Sequence, residues 1–324
     1  MSGICGIIHL DPLPINSSII INRMNEKLRH RGPDEKGIFA EKNVALGFRR
    51  LSIIDLEGGR QPLKDEAGRY RLVFNGTIYN SLKLREELLS RGHQFRTACD
   101  AEVVLHLFEE MGAGCLPYLR GMFAFAIWDR LKKRLFLARD RFGIKPLYYL
   151  PQKKGLVFAS ELKAFQAFPG FQSKLNEESF QHYLTFQYVP GNDTILKNVY
   201  RLPPAHYLIW QDNKTTLEQY WELTICPQEK PLTFFIEGIQ ERLQDAVSIH
   251  RRSDVERGAF LSSGVDSSCV VALLRRMEEV KTYSVGCAGG KYNELPQAAQ
   301  TASFLDTQHR DTKVSSSLFL GEAA

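Results

Sequence analysis

The sequence is poor in cysteine and has no two cysteines at the spacing of a metal site. Cysteine occurs six times, far apart, and no Cys-x-x-Cys pair is present. Zinc sites and the disulfide frameworks of small secreted domains depend on close, regular cysteine spacing. The sequence therefore excludes both as the basis of the fold, and any cysteine chemistry would come from a single thiol.

A long apolar run and a marked excess of one charge are also missing. No stretch approaches the roughly 20 apolar residues of a membrane span, and no basic segment followed by an apolar one begins the chain. The 42 Lys and Arg residues against 37 Asp and Glu residues leave a net charge of only +5, evenly spread. That excess is too small for a nucleic-acid surface. We therefore expect a cytoplasmic protein with neither a membrane nor a nucleic-acid partner.

The composition is that of a folded protein with a buried core. The chain has 324 residues, of which 44% are hydrophobic and 24% are charged. This balance excludes a disordered or fibrous chain. At roughly 100–200 residues per domain, the length predicts two domains.

Short strand-like segments dominate residues 1–170. Stretches bounded by turn residues predict strands at 4–10, 44–55, 70–79, 123–129, 134–140, 147–150 and 156–160. Helical periodicity is present at 18–29, 81–91 and 100–111. Because strands and helices do not alternate regularly, this part predicts a layered α+β domain and not a doubly wound sheet.

The pattern changes after Pro231. An amphipathic helix at 233–251 precedes a short apolar strand at 258–261, a helix at 266–277 and a second strand at 282–286. This order predicts a βαβ unit that opens a parallel sheet. We expect domains at 1–190 and 231–324, joined by a connecting segment at 191–230.

Polar motifs stand at predicted strand ends and turns in the first domain. Cys5, in Ile-Cys-Gly-Ile, would by itself be typical of a buried strand residue. It is accompanied by Arg-His-Arg-Gly-Pro-Asp at 29–34, Arg-Arg-Leu-Ser-Ile-Ile-Asp at 49–55, Asn-Gly-Thr-Ile-Tyr-Asn at 75–80, Cys-Asp-Ala-Glu at 99–102 and Arg-Asp-Arg-Phe-Gly-Ile-Lys-Pro-Leu-Tyr-Tyr at 139–149.

With these motifs, residues 1–165 resemble the glutamine-hydrolysing asparagine synthetases, which begin with a class II, N-terminal-nucleophile amidotransferase domain. The resemblance implies a sandwich of two antiparallel sheets between helical layers. It also implies that Cys5 attacks the glutamine side chain, and that Asn75 and the N–H group of Gly76 form an oxyanion hole. The glutamine-binding residues it implies are Arg50, Leu51, Ser52, Ile53, Ile54, Asn75, Gly76, Thr77 and Asp100.

Two features depart from the family pattern. In the family the nucleophilic cysteine is the first residue of the mature chain, and its α-amine is the general base. Here Met-Ser-Gly-Ile precedes Cys5, so either four residues are removed or glutaminase activity is impaired. Thr77 stands where the family has a glutamate, which weakens the hold on the glutamine α-ammonium group.

A serine-rich loop follows the first strand of the second domain. It runs Leu-Ser-Ser-Gly-Val-Asp-Ser-Ser at 261–268 and lacks the Gly-Lys-Ser/Thr of a Walker A loop. Asp266 or Ser267 would cap the following helix, or the helix N-terminus would bind an anion. The loop resembles the pyrophosphate loop of the synthetase domain, with Ser263 in place of a glycine and Asp266 as a Mg²⁺ ligand. The ATP-binding residues implied are Leu261, Ser262, Ser263, Gly264, Val265, Asp266, Ser267, Ser268 and Val285.

The resemblance implies ATP-dependent synthesis of asparagine from aspartate, with glutamine as nitrogen donor and Mg²⁺ as cofactor. Two alternatives stay open: another amide-forming ligase, such as a lasso-peptide cyclase or β-lactam synthetase with impaired glutaminase, and a catalytically incomplete fragment. No second glycine-rich loop follows Val285, so we expect a truncated synthetase domain. The oligomeric state, a homodimer included, is also left open.

Overall fold

The fold is described from a computed structural model of the chain, for residues 1–13, 16–287 and 293–315. The chain divides into two compact units, Met1–Ile225 and Cys226–Ala324. No helix within the described residues is both long enough and apolar enough to cross a membrane.

The described residues of the first unit form twelve strands and four α-helices. The strands are β1 (Gly3–His9), β2 (Glu35–Glu41), β3 (Val44–Arg50), β4 (Leu63–Lys64), β5 (Tyr70–Ile78), β6 (Gly121–Asp129), β7 (Arg134–Arg139), β8 (Tyr148–Gln152), β9 (Gly155–Ala159), β10 (Tyr200–Arg201), β11 (His206–Gln211) and β12 (Lys214–Gln219). The helices are α1 (Ser17–Glu26), α2 (Ser81–Ser90), α3 (Asp100–Met111) and α4 (Glu177–Phe186), with short 3-10 helices at Gly112–Tyr118 and Leu162–Ala167.

Two six-stranded antiparallel sheets form the centre of the first unit. One sheet has the order β10-β8-β9-β1-β3-β2, and the other has the order β12-β11-β7-β6-β5-β4. An apolar cluster with side chains from both sheets includes Ile4, Phe48, Phe158 and Trp128. Because both sheets are apolar on the faces that meet, they pack as a sandwich.

Helices cover the outer faces of the two sheets. The first sheet packs on α1 through a cluster that includes Cys5, Ile21 and Met24. The second sheet packs on α2 and α3 through a cluster that includes Leu84, Val104 and Phe125. This arrangement confirms the predicted α+β sandwich of two antiparallel sheets between helical layers.

The second unit begins a parallel sheet. Its described elements are α5 (Leu232–His250), β13 (Ala259–Phe260), α6 (Val265–Arg275), β14 (Lys281–Cys287), α7 (Leu295–Phe304) and β15 (Gln308–Val314). The strand order is β13-β14-β15, and both pairings are parallel. The predicted βαβ unit is therefore present, and a further helix and strand extend it.

The segment 191–230, which we expected to be a connection, contributes three strands to the sheets of the first unit. β10 pairs with β8, and β11 pairs with both β7 and β12. Leu208 and Trp210 on β11 are buried in the cluster between the sheets. The alternating burial along β11 is therefore that of a core strand. Its pairing partner β7 lies about seventy residues earlier in the chain.

Candidate functional site

A cavity of about 200 Å³ in the first unit brings together most of the predicted glutamine-binding residues. Eight of the nine line it, and Ser52 does not. The backbone N–H of Ser52 donates instead to Asp34 Oδ2, at 2.8 Å. The full lining is Met1, Ser2, Phe48, Arg50, Leu51, Ile53, Ile54, Gly59, Gln61, Phe74, Asn75, Gly76, Thr77, Cys99, Asp100, Met122 and Lys145.

Arg50 supplies the guanidinium of this cavity from the end of β3. The side chain is 4% exposed. Its Nη1 donates to Glu35 Oε2 at 3.1 Å and to the carbonyl of Leu56 at 3.2 Å, and its Nη2 donates to the carbonyls of Ile54 and Asp55. Arg50 therefore holds the loop after β3 in place, and a bound carboxylate would have to exchange with one of these acceptors.

Asn75 on β5 provides a buried donor that has no partner. Its Nδ2 makes no hydrogen bond, although the residue is only 1% exposed. Gly76, the next residue, lies so close to β6 that a Cβ there would come within 2.3 Å of the Met122 carbonyl oxygen. An unpaired buried donor costs about 1–3 kcal/mol. Such a donor lining a cavity suits a substrate oxygen that becomes negatively charged during reaction.

Asp100 supplies a carboxylate from the first turn of α3. It is 5% exposed, and its Oδ2 accepts the backbone N–H of Ile78 at 2.7 Å. This bond links the start of α3 to the end of β5, which carries Asn75. Arg50, Asn75 and Asp100 therefore reach one cavity from three different elements.

Cys5 does not lie in this cavity. It is fully buried in the cluster beneath α1, where its Sγ packs against Gly47 and the neighbouring Asn25. Burial raises the pKa of the thiol, so it stays protonated. The structure therefore separates Cys5 from the cavity that contains Arg50, Asn75 and Asp100, the residues with which it was predicted to act. Removing residues 1–4 would also delete Gly3 and Ile4, which pair with β3.

Ser2, which no sequence motif marked as a site residue, lines the cavity. The backbone N–H of Leu51 donates to Ser2 Oγ at 3.2 Å, and Arg31 Nε donates to the carbonyl of Ser2 at 2.9 Å. Side chains along a strand alternate between its two faces. Ser2 and Cys5 are three residues apart, so their side chains lie on opposite faces. The even spacing of Ser2 and Ile4 was the signal in the sequence that could have placed Ser2 on the face opposite Cys5. Because both faces of β1 are buried, the sequence does not display this alternation.

The glycines of β1 confirm which face is which. A Cβ on Gly6 would strike Phe158, which lies in the cluster between the sheets, whereas a Cβ on Gly3 would meet Leu28 on the side of α1. Even-numbered positions therefore face the second sheet, which carries Asn75. Odd-numbered positions, Cys5 among them, face the helix.

The serine-rich loop of the second unit is ordered by its own hydroxyl groups. Ser262 Oγ lies 2.9 Å from Ser267 Oγ and accepts the N–H of Gly264 at 3.1 Å. Ser268 Oγ donates to the carbonyl of Gly264 at 2.8 Å. The loop joins β13 to α6, which places the exposed Ser262 and Ser263 and the half-buried Ser267 and Ser268 at a helix N-terminus. The remaining predicted residues there are Leu261, Ser263, Val265 and Asp266.

Two details of this loop bear on the predictions. Ser263, which stands where the related loop has a glycine, is not among the residues with positive φ, so the serine adds no left-handed strain to the loop. Val285 lies two residues beyond Tyr283, which pairs with the last residue of β13, Phe260, and β14 continues to Cys287. Ser284 Oγ on β14 donates a hydrogen bond to the carbonyl of Leu261 at 2.5 Å, which holds Leu261 beside β14.

Within the part of the chain that the structure describes, one group of three side chains has the arrangement of a metal site: His93, His106 and Glu109. A single proton arrangement satisfies the contacts of this group. His93 donates from Nε2 to Glu110 at 3.0 Å, and its Nδ1 accepts from His106 Nδ1 at 3.1 Å. His106 Nδ1 also lies 2.7 Å from Glu109 Oε2. These bonds place a proton on His106 Nδ1, with the protons assigned from the contacts. Nε2 makes no hydrogen bond but lies 3.9 Å from Glu102 Oε1, so carboxylates on two sides of the ring favour its charged form.

The charge on His106 predicts a loss of stability at high pH. Burial would lower the pKa of His106, but the carboxylates of Glu102 and Glu109 outweigh it and raise the pKa to about 9. An unfolded histidine has a pKa of about 6.5. The stabilisation, on the order of 2–3 kcal/mol, is therefore complete below pH 6 and is lost as the pH rises through 9.

This effect is measurable from chemical unfolding between pH 6 and pH 10. The free energy of unfolding should fall over that range in the unmodified protein. In the His106→Gln variant it should be lower at pH 6 and nearly level up to pH 10. Parallel pH profiles for the two proteins would contradict the assigned charge.

Comparison with known proteins agrees with this architecture. Residues 1–221 match the model of the glutamine amidotransferase domain family, and residues 238–323 match the asparagine synthase family. The chain is 36% identical over 326 residues to asparagine synthetase (glutamine-hydrolysing) 1 of Bacillus subtilis strain 168, covering 99% of this chain and 51% of that protein. It is 34% identical to asparagine synthetase 3 of the same organism, covering 84% and 45%.

The chain thus spans about half the length of these curated relatives. Among solved structures, glutamine phosphoribosylpyrophosphate amidotransferase from Bacillus subtilis matches with a TM-score of 0.51 and 18% identity, covering 95% of this chain and 65% of that one. At this identity the likeness extends to the fold alone. From the two family matches and the sandwich, the chain belongs to the glutamine-hydrolysing asparagine synthetase family, with its glutamine amidotransferase domain at 1–221.

Proposed function

We propose that the first unit hydrolyses glutamine and supplies ammonia to an ATP-dependent synthesis of asparagine from aspartate. The single observation that supports this most directly is the unpaired Nδ2 of Asn75 in a cavity that also contains Arg50 and Asp100. Glutamine carries an α-carboxylate, an α-ammonium group and a side-chain amide. Arg50, Asp100 and Asn75 offer one complementary group for each of these.

The proposed orientation places the reacting amide near Asn75. The α-carboxylate would replace one of the acceptors of Arg50, and the α-ammonium group would lie against Asp100. Attack on the amide carbon turns its carbonyl oxygen into an oxyanion, to which Asn75 Nδ2 and the N–H of Gly76 would donate. Thr77, Leu51, Ile53 and Ile54 would complete the wall of the site.

The second unit is proposed to bind ATP at the serine-rich loop. The hydroxyl groups of Ser262, Ser267 and Ser268 and the N-terminus of α6 would hold the phosphates, while the backbone at Leu261 and Val285 would meet the adenine. Asp266 is exposed in the first turn of α6. A single carboxylate fits Mg²⁺, which is commonly held by one or two carboxylates together with substrate phosphates. The ion would neutralise charge on the departing pyrophosphate.

Glutamate release is the decisive assay for the first unit. The full chain is expected to convert glutamine to glutamate and ammonia without ATP, and Asp100→Asn should raise the KM for glutamine about tenfold. Asp65→Asn is the matched control, because Asp65 is also buried and accepts a backbone N–H, that of Tyr70 at 2.7 Å, but does not line the cavity. If the folded chain binds no glutamine in calorimetry, the proposed glutaminase is refuted.

Thr77 favours a second candidate, an amide-forming ligase of the lasso-peptide cyclase or β-lactam synthetase type that takes its amine from the substrate. Thr77 lines the cavity and carries no charge where the family has a glutamate. Such a ligase would release no glutamate from glutamine but would still bind ATP. ATP binding with and without Mg²⁺, measured for the unmodified chain and for Asp266→Asn, tests the nucleotide loop under either function.

A further inference from the structure

We propose that Ser2, not a cysteine, is the nucleophile of the glutamine cavity once Met1 has been removed. The proposal rests on the proposed glutaminase and assigns its reacting atom. Met1 and Ser2 are the residues of the N-terminal segment that line the cavity, together with Arg50, Asn75 and Asp100. Cys5 is fully buried on the opposite face of β1.

The backbone around Ser2 is held firmly. Its carbonyl accepts Arg31 Nε at 2.9 Å, and Arg31 is in turn paired through Nη1 with Glu161 Oε1 at 2.8 Å. Its Oγ accepts from the N–H of Leu51, in the same loop that Arg50 holds. A nucleophile must be fixed within a few tenths of an ångström of its working position, and these contacts provide that restraint at Ser2.

The α-amine would be the general base. Burial lowers the pKa of the Met1 amine, and the nearby charges of Arg31 and Lys145 lower it further. Removal of an initiator methionine is usual when the next residue is as small as serine, and it would transfer the amine to Ser2 itself. The amine would then be closer to Arg31, which contacts the Ser2 carbonyl. A lowered pKa increases the fraction of the amine that is unprotonated at a given pH, which is the form that a general base needs.

The reaction balances with water as the only co-reactant. Ser2 Oγ bonds to the amide carbon of glutamine, and its proton passes to the α-amine. The amine returns that proton to the leaving nitrogen, so that the C–N bond breaks and ammonia departs. Water then attacks the γ-glutamyl ester, gives its proton through the amine to Ser2 Oγ, and releases glutamate.

The proposal predicts a slow enzyme that one substitution accelerates. A serine hydroxyl is a far weaker nucleophile at neutral pH than a cysteine thiol, because much less of it ionises. Ser2→Cys should therefore raise the rate of glutamate release by about tenfold or more. Ser2→Ala should lower it by at least about 10³-fold. Cys5→Ala, the matched deletion of a single heavy atom, should leave the rate within about twofold.

The experiment compares full chains that begin at residue 2, released from a cleavable fusion, with chains that keep Met1. Glutamine binding is measured by calorimetry, glutamate release by a coupled assay, and the reacting residue by mass spectrometry after treatment with 6-diazo-5-oxo-L-norleucine. This electrophilic glutamine analogue should label residue 2 in the Ser2→Cys chain. Retention of Met1 should abolish both labelling and release.

The outcomes separate the two proposals. Labelling of Cys5, or loss of activity in Cys5→Ala but not in Ser2→Ala, would overturn the assignment of Ser2 while leaving the glutaminase intact. Binding of glutamine without any label at residue 2 of the Ser2→Cys chain would also overturn the assignment alone. A failure of every variant to bind glutamine would refute the proposed glutaminase itself, and the assignment with it.

Discussion

Replacing Asn75 by alanine is expected to lower kcat for glutamine hydrolysis by roughly 10²–10³-fold, with little change in KM. Loss of one oxyanion donor typically has this effect, because the donor acts on charge that exists only in the transition state. Asn75 Nδ2 is buried without a partner, so its deletion breaks no hydrogen bond of the folded protein at that atom. The free energy of unfolding should therefore fall by less than about 1 kcal/mol.

Asn80 offers a matched control for this prediction. Its Nδ2 donates to the carbonyl of Tyr118 at 2.9 Å, and its Oδ1 accepts the N–H of Arg120 at 3.0 Å. Asn80→Ala should therefore cost about 1–2 kcal/mol of stability and leave kcat near that of the unmodified chain. A normal kcat in Asn75→Ala, measured as glutamate release at saturating glutamine, would remove Asn75 from the oxyanion hole.

The largest effect on stability is expected at Asp140, which holds together the turn after β7. Its carboxylate accepts backbone N–H groups from four residues at 2.9–3.1 Å and is 1% exposed. Deleting the carboxylate removes the acceptor of four backbone N–H groups, of which those of Phe123 and Lys145 are buried and those of Phe142 and Ile144 are partly buried. Since each buried unpaired group costs about 1–3 kcal/mol before relaxation, we expect Asp140→Ala to destabilise the protein by about 3–5 kcal/mol.

Thermal unfolding measures this loss directly. A shift of roughly 10 °C or more is expected for a unit of this size. Asp11→Ala is the control, because Asp11 is exposed and pairs only with the surface residue Lys154 at 2.9 Å, a kind of contact worth little. An Asp140→Ala protein that unfolds at the temperature of the Asp11→Ala protein would contradict the role given to Asp140.

The motif at 139–149 has a structural role that the sequence alone did not reveal. Its residues resembled those of the family, but no chemistry could be assigned to them from the sequence. In the structure Arg139 donates to the carbonyls of Lys145, Leu202 and Gly143, while Gly143 adopts a φ of +65°. The motif builds a turn that ends at Lys145 in the cavity wall, so its role is to position other groups.

The sequence by itself determined the strands and helices that depend on the local periodicity of their side chains. Strand and helix periodicity placed the α+β layers and the βαβ unit, because side chains repeat every two residues on a strand and every 3.6 on a helix. Motif resemblance brought Arg50, Asn75, Gly76 and Asp100 forward as one site. These four residues line one cavity because three separate elements converge there.

Only the tertiary structure decided which residue near the N-terminus lies in the cavity. Both faces of β1 are apolar because one packs on the second sheet and the other packs on α1. From composition alone, Cys5 and Ser2 therefore differ only in the reactivity of their side chains, which favours the thiol. Packing gives the reverse result, because the helix layer buries Cys5 while the cavity between Arg50 and Asn75 receives Ser2.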